Sequence, residues 1–507
     1  MADLATTRSR FEEFLDPGVV SRLNTFTIAT TVVNRTCMSH RQIRSSSSAT
    51  RGFHLGLQPP LAWMAILGLV LFSSLCLLSG AASILRLAFP VASFAVGVFL
   101  YCRYPILYLG FTWWLWFLMP FVTRLVDYRS GWWDPQRLML VSPFLVTLLT
   151  CTTFCQYLPR SYHQGGLPFI LAFIGVVYGF LVALIKGSPF VAARALLDWL
   201  APIVFGFHLF VNWQNYPSYR QNLQRHFLWG VLVLGAYGVL QYLIAPEWDR
   251  LWLVASEMTT SAGDPEPFRI RVWSTLNSPG HFACVMMAGL LLLFTSQEAL
   301  RWPTIVVGYL AFLLSIVRSA WGGWFVGLLT LISSLNPRRQ MGIIITIVVI
   351  ALWAFSLATI EPFSNYINPT FQSLSNLGSD DSYNVRKSIY QDNLGLAFSE
   401  GLGQGLGYSE FPDSGILEIF STLGWLGAIP FLAGAILLLF NVFHKSKGRF
   451  DPFVTVAWPI ALSCFVMLPN GNSIIALPGV IFWGFSGMVM AAHKYYLHQG
   501  STELPRN

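Results

Sequence analysis

Charged residues are scarce in this chain. Asp, Glu, Lys and Arg make up only 11% of its 507 residues, against roughly a quarter in an ordinary soluble domain, while 54% of the chain is hydrophobic and 15% aromatic. That shortage excludes a soluble globular protein. The seven cysteines (37, 76, 102, 151, 155, 284 and 464) include no CxxC pair and fall mostly inside apolar stretches. This argues against a zinc site or a disulfide framework and for packing roles. The first 58 residues lack an apolar run that could insert into a bilayer or form a signal-peptide core. Polar, Ser-rich and Arg-rich ("HRQIRSSSSATRGF"), they read as a flexible cytoplasmic tail.

What the rest has in abundance is long apolar runs. From Leu61 to Leu497 they recur at lengths of about 18 residues or more, enough to cross a hydrocarbon core of about 30 Å as helices. The expectation is an all-α polytopic membrane protein of twelve to fourteen transmembrane helices. Our boundaries give fourteen: 60–79, 82–102, 105–123, 138–157, 167–186, 190–212, 227–245, 279–296, 302–318, 320–336, 341–360, 414–443, 453–469 and 474–493. With the N-terminus inside, the cytoplasmic connections are "CRYP", "PRSYHQGG", "NYPSYRQNLQRH", "SQEALR", "NPRRQ" and "HKSKGRF", with the tail "HKYYLHQ". Every one carries Lys or Arg, as the positive-inside rule requires. The net charge of +8 is thereby explained by topology, with no nucleic acid needed as a partner.

Two connections on the other side, 246–278 and 361–413, are too long to be turns, and long ordered loops are where function concentrates. The chain then divides into a tail (1–58), an N-terminal bundle (59–245), a segment with both long outer loops (246–443), and C-terminal helices with a cytoplasmic tail (444–507). In the second loop the stretch "VRKSIYQDNLGLAFSE" reads as a short amphipathic helix, and "GLGQGLG" as a turn that bends the chain back to the membrane.

Topology puts four arginines on the outer side, where the charge rule disfavours them: Arg269 and Arg271 in "PFRIRVWSTLNSPGHF", Arg318 in "SIVRSAWGGW", and Arg386. Each has a plain reading. Arg318 can snorkel from a helix end, Arg386 can lie on a solvated helix face, and Arg269 and Arg271 can pair with Asp264 and Glu266. The small residues Ser319, Ala320, Gly322 and Gly323 suggest instead a tight turn that holds Arg318 within protein. Converging guanidinium groups suit phosphate oxygens, and a lipid diphosphate is the obvious ligand at a membrane surface. Asp380 and Asp381 are adjacent in a Gly, Ser and Asn context and make a poor metal site, so no metal is expected.

The segment "FPDSGILEIFSTLGWLG" carries the most specific pattern. Asp413, Ser414, nine further residues, Gly424 and Gly427 follow the spacing of a motif in the O-antigen ligase and polymerase-like family, with Asp in place of the ligase His. The chain resembles that family over roughly residues 230–440, also in "SIVRSAWGGWFVGLL", in "VRKSIYQDNLGLAFSEGLGQGLGYSE", in "RVWSTLNSPGHFA" and in the Arg269 to Gly280 spacing. The resemblance implies a GT-C-like glycosyltransferase fold in the bacterial cell inner membrane, working on its outer face without metal or cofactor. It implies transfer, with inversion, of a glycan from an undecaprenyl-diphosphate-linked donor to a glycan or lipid acceptor. Arg318 and Arg386, with Arg269 or Arg271, would bind the diphosphate, and Asp413 would be the base. Because the His is replaced, polymerisation is favoured over ligation. Membrane lipids are partners, with room for a chain-length regulator or polysaccharide assembly proteins.

Other readings stand beside this one. Asp413 precedes an apolar helix and is equally placed to cap it. Glu410, Glu418 and His281 compete as bases, Glu418 because an intramembrane carboxylate is costly and usually functional. Arg194 and Asp198, four apart in one span, are spaced to pair with each other. A transporter or flippase of lipid-linked oligosaccharides is the alternative class, although such folds more often show two related halves, and both long loops here lie in the second half.

Overall fold

The computed structural model describes residues 59–335, 337–361, 401–408, 414–446 and 451–502, with scattered residues between 384 and 399. Before residue 246 run Pro60–Leu78 (α1), Ala82–Arg103 (α2), Pro105–Ser130 (α3), Ser142–Leu148 (α4), Cys151–Ser161 (α5), Leu167–Lys186 (α6), Pro189–Val211 (α7) and Tyr216–Ile244 (α8). A short helix, Glu247–Ala255 (α9), precedes Pro279–Leu293 (α10), Arg301–Leu314 (α11), Arg318–Ser333 (α12) and Pro337–Thr359 (α13). Gly415–Ser446 (α14), Pro452–Val466 (α15) and Ala476–Thr502 (α16) complete the described bundle. Among the described residues there is no strand, only an isolated antiparallel bridge between Gly263 and Ile270.

Among the described residues, ten helical stretches are long and apolar enough to cross a membrane, seven of them before residue 245 and three after 414. The difference from fourteen lies between residues 279 and 359, where α10 has 15 residues and α11 has 14. Fifteen residues of helix rise about 22 Å, short of a core of about 30 Å. Helix α10 is buried almost all round, from Phe282 to Leu293, as befits an apolar helix enclosed by others. Proline marks where many of these helices begin: Pro60, Pro105, Pro168, Pro189, Pro217, Pro279 and Pro452 all occupy a first or second helical position. There the missing N–H costs nothing.

Some expected boundaries move. The stretch expected as the cytoplasmic loop "NYPSYRQNLQRH" is mostly helical, because α8 starts at Tyr216. Its Arg and Gln residues are good helix formers and carry the helix beyond the apolar run. The expected span 138–157 is broken between α4 and α5, and the long connection 246–278 contains α9.

Helix α16 is the centre of the bundle, with 89% of its apolar window buried, whereas α1 has 17% and lies at the edge. Ile185 is 85% exposed and Leu78 76% exposed. Such surfaces would cost about 25 cal/mol per Å² in water but cost nothing against lipid tails. Close backbone approach joins the central pairs. Gly206 of α7 faces the Trp483 carbonyl of α16, and Gly175 of α6 faces the Gly427 carbonyl of α14. A Cβ at Gly206 would lie 2.4 Å from that oxygen, and one at Gly175 2.5 Å from its own. Small residues at these crossings allow the packing that holds helices together where no hydrophobic drive exists between them.

Candidate functional site

The polar architecture gathers at the end of the bundle that carries the two long connections. Its foundation is Arg124 near the end of α3, a residue that sequence reading passed over as the edge of a span. Its guanidinium is fully buried and lies 2.8 Å from Oδ1 of fully buried Asp249 in α9. This is an ion contact off the hydrogen-bond line. Arg124 also donates to the carbonyls of Ser274 (2.6 Å) and Leu276 and to Oδ1 of Asn277 (2.8 Å). Oδ2 of Asp249 accepts from Tyr237 and Gln241, each at 2.8 Å, while Oε1 of Gln241 accepts from the amides of Trp273 and Ser274. Every partner is charged or correctly oriented, so a buried pair that would otherwise be costly becomes the clamp that shapes residues 247–278.

That clamp sets out the first two candidate arginines differently. Arg269 is exposed and pairs with Glu266 at 3.0 Å, with side chains 56% and 60% exposed, the surface ion pair of its plain reading. Arg271 turns inward and donates to the carbonyls of Ser261 (2.8 Å), Ile316 (2.9 Å) and Ser315 (3.4 Å). It thereby fastens the first long connection to the break between α11 and α12. The expected tight turn after Arg318 is not there: the break comes before it, at Ser315 to Val317, and residues 319–323 are helical. Ile316 takes φ +54°, a strained conformation for a β-branched residue. Arg318 is half-buried and starts α12, where the helix dipole already presents positive charge.

The second connection returns through residues 401–408, which pack into a break in α14. Gly424 has φ +59° and ψ −177°, and the interrupted turn gives its carbonyls to the glycine cluster. The amide of Gln404 donates to Ser421 (2.8 Å), that of Gly405 to Thr422 (2.9 Å), and that of Trp425 to Gly401 (3.0 Å). Lys186 and Tyr178 of α6 anchor the same segment, donating to the carbonyls of Gly403 (2.8 Å) and Leu402 (3.1 Å). Irregular backbone at this depth is tolerated because protein satisfies it. The spacing of Gly424 and Gly427 therefore has a physical reason. A Cβ on Gly424 would lie 2.3 Å from the Leu402 carbonyl carbon, and one on Gly427 2.7 Å from the Tyr178 ring.

Residues 467–472, between α15 and α16, are where these segments meet. The Tyr390 hydroxyl donates to the Pro469 carbonyl at 2.9 Å. Gly415, at the start of α14, abuts the carbonyls of Leu468 and Gly471, and Gly323 of α12 abuts Met467. Arg386, Glu410 and Asp413 lie outside the described residues, as do Asp380 and Asp381. Arg386 is four residues before Tyr390, and Asp413 two before Gly415.

Beyond this turn, Glu418 faces the Asn472 amide without a well-formed hydrogen bond and lies within Coulombic reach of Asp198. Asp198 in turn lines a cavity of about 230 Å³ with Arg137, Arg194, Asn277, Ser278 and His281. His281 is exposed into this space. Arg194 and Asp198 do not close the expected ion pair: no contact between them falls within 4.0 Å, and Arg194 reaches instead toward the Gln136 carbonyl at 3.5 Å. Burial lowers the pKa of Arg137, the nearby charge of Arg194 lowers it further, and Asp127 opposes both. Arg137 left no mark in the sequence, since it sits in a polar turn indistinguishable from a solvated one.

The described residues thus place Arg318, Glu418 and His281 at one end of the bundle, with Arg271 holding the frame and Arg269 at the surface. No protein-family model matches the chain, and no curated protein matches it in sequence.

Proposed function

We propose that this protein is a metal-independent, inverting glycosyltransferase that polymerises undecaprenyl-diphosphate-linked saccharides on the outer face of the bacterial inner membrane. The observation that carries the reading is the convergence on residues 467–472 of α12, Tyr390 and Gly415, from the three segments that hold Arg318, Arg386 and Asp413. The resemblance of these segments to the O-antigen ligase and polymerase-like family supplies the chemistry. On this reading α10 to α13 also cross the membrane, which with the ten longer stretches makes fourteen spans of a GT-C-like fold.

The reaction needs an acceptor hydroxyl to attack the anomeric carbon as the bond from that carbon to the diphosphate breaks. Asp413 takes the hydroxyl proton as the new C–O bond forms, and the diphosphate leaves with the bonding electrons. Arg318 and Arg386 stabilise its growing negative charge, aided by the positive end of α12. A carboxylate base suits a partly desolvated site flanked by arginines. Polymerisation is favoured over ligation because Asp413 stands where the ligase motif has His.

The test uses purified protein, a lipid-diphosphate oligosaccharide and no added metal, with chain growth read on a gel. Arg318→Gln is expected to lower the rate on the order of a hundredfold or more, the usual loss of a transition-state donor. Activity that survives Asp413→Ala and Arg386→Ala combined would sink the catalytic assignment. Flipping of the lipid in vesicles, without product, would establish the transporter class instead.

A further inference from the structure

A second polar cavity lies at the opposite end of the bundle. Helix α6 separates the two ends: it starts beside this cavity, at Gly166, and ends at Lys186, bonded to Gly403, with 20 residues or about 30 Å between. The cavity holds about 600 Å³ and is lined by Tyr157, Arg160, Gln164, Asn212, Trp213 and Lys494 among others, with no acidic residue among the described residues of its wall. That volume lies within the range of about 300–1,000 Å³ typical of small-molecule sites.

Its charge is one-sided. Lys494 is half-buried, with Nζ 4.1 Å from the centre of the Phe210 ring and 3.3 Å from Oε1 of Gln164. Lys445 adds a like charge nearby, its Nζ close enough that a Cβ on Gly165 would lie 3.6 Å away. Among the described residues neither Arg160 nor Lys494 forms an ion pair. Arg160 and Lys494 share a wall in which the described residues supply no carboxylate, an arrangement that favours an anion joining them. At the ends of membrane helices the abundant anions are lipid phosphates, and basic pockets between helices are where such headgroups seat.

We propose that this cavity binds the headgroup of an anionic phospholipid of the phosphatidylglycerol type. Arg160 and Lys494 take the phosphate, and the amides of Gln164 and Asn212 take the glycerol hydroxyls. Trp213, at the helix end, offers the amphipathic ring common at the bilayer interface. The site is independent of glycosyl transfer at the other end.

Native mass spectrometry of the full chain, released from nanodiscs of equal phosphatidylglycerol and phosphatidylcholine, tests it. One phosphatidylglycerol retained per chain is expected, with apparent affinity falling on the order of tenfold or more in Arg160→Gln with Lys494→Gln. Arg129→Gln, exposed at the other end of the bundle, should retain the lipid. Gln164→Trp fills the cavity while keeping both cations and should also expel the lipid, a check should the double variant fold poorly. Retention within twofold of wild type in both cavity variants would overturn the site. Equal retention of phosphatidylcholine would overturn the charge argument, and glycerol phosphate bound as tightly as the lipid would overturn the membrane source.

Discussion

At the residue scale, Gly424 shows how a spacing motif can be legible while its cause is not. The sequence has Gly424 and Gly427 in a recognisable order after Asp413, but one breaks a helix and the other lets two helices touch. Gly424→Ala must force a side chain into a backbone region reserved for glycine, at a cost of about 1–3 kcal/mol, and against Leu402 2.3 Å away. Gly322→Ala is the control, since a Cβ there meets nothing within 4 Å; in a helix interior it should be neutral or stabilising by roughly 0.5–1 kcal/mol. Thermal unfolding in detergent, followed by tryptophan fluorescence, should therefore show a lowered midpoint for Gly424→Ala and an unchanged or raised one for Gly322→Ala. Arg271 carries the converse lesson. Its type and its place in the loop suggested a ligand for phosphate, yet three carbonyls engage its donors, a fact set by tertiary folding alone.

At the scale of elements, the clamp between α3 and α9 was invisible because its two charges look ordinary where they stand. Arg124 follows an apolar run and Asp249 lies in a polar connection, 125 positions later. The pair that did look legible, Arg194 and Asp198, fails because the order Arg before Asp is the weaker one along a helix and both side chains turn to the cavity. Breaking a fully buried pair by removing one partner typically costs about 3–5 kcal/mol, and Arg124→Ala and Asp249→Ala should each approach that loss. The double variant should lose much less than the sum, because neither charge is then stranded. Denaturation midpoints for the three variants measure the coupling, and hydrogen exchange over residues 247–278 should speed up in each. Strict additivity would mean that the two residues act separately.

At the scale of the whole molecule, the helical membrane architecture was legible from composition and from the prolines that open its helices. The length of α10 was not, because enclosure by neighbours frees a helix from matching the bilayer. On the proposed reading, sidedness follows from charge. At the loop end Arg86 is bound to Asp127 at 2.9 Å and Arg124 to Asp249, so these cations are neutralised locally. On the proposed sidedness Arg137 and Arg194 have no such explanation from topology, and cations kept against the positive-inside rule point to ligands rather than to orientation. The connection between α10 and α11 should then face the cytoplasm and α9 the outside. Glu298→Cys and Glu257→Cys place an exposed thiol in each. In intact cells a membrane-impermeant maleimide should label Glu257→Cys, and label Glu298→Cys only after permeabilisation. The parent chain is the control for native Cys155, which is exposed. Labelling in the reverse order would turn the cavity of Arg137 and Arg194 toward the cytoplasm, where a saccharide already carried to the outer face could not reach it, and the proposed transferase would lose its substrate.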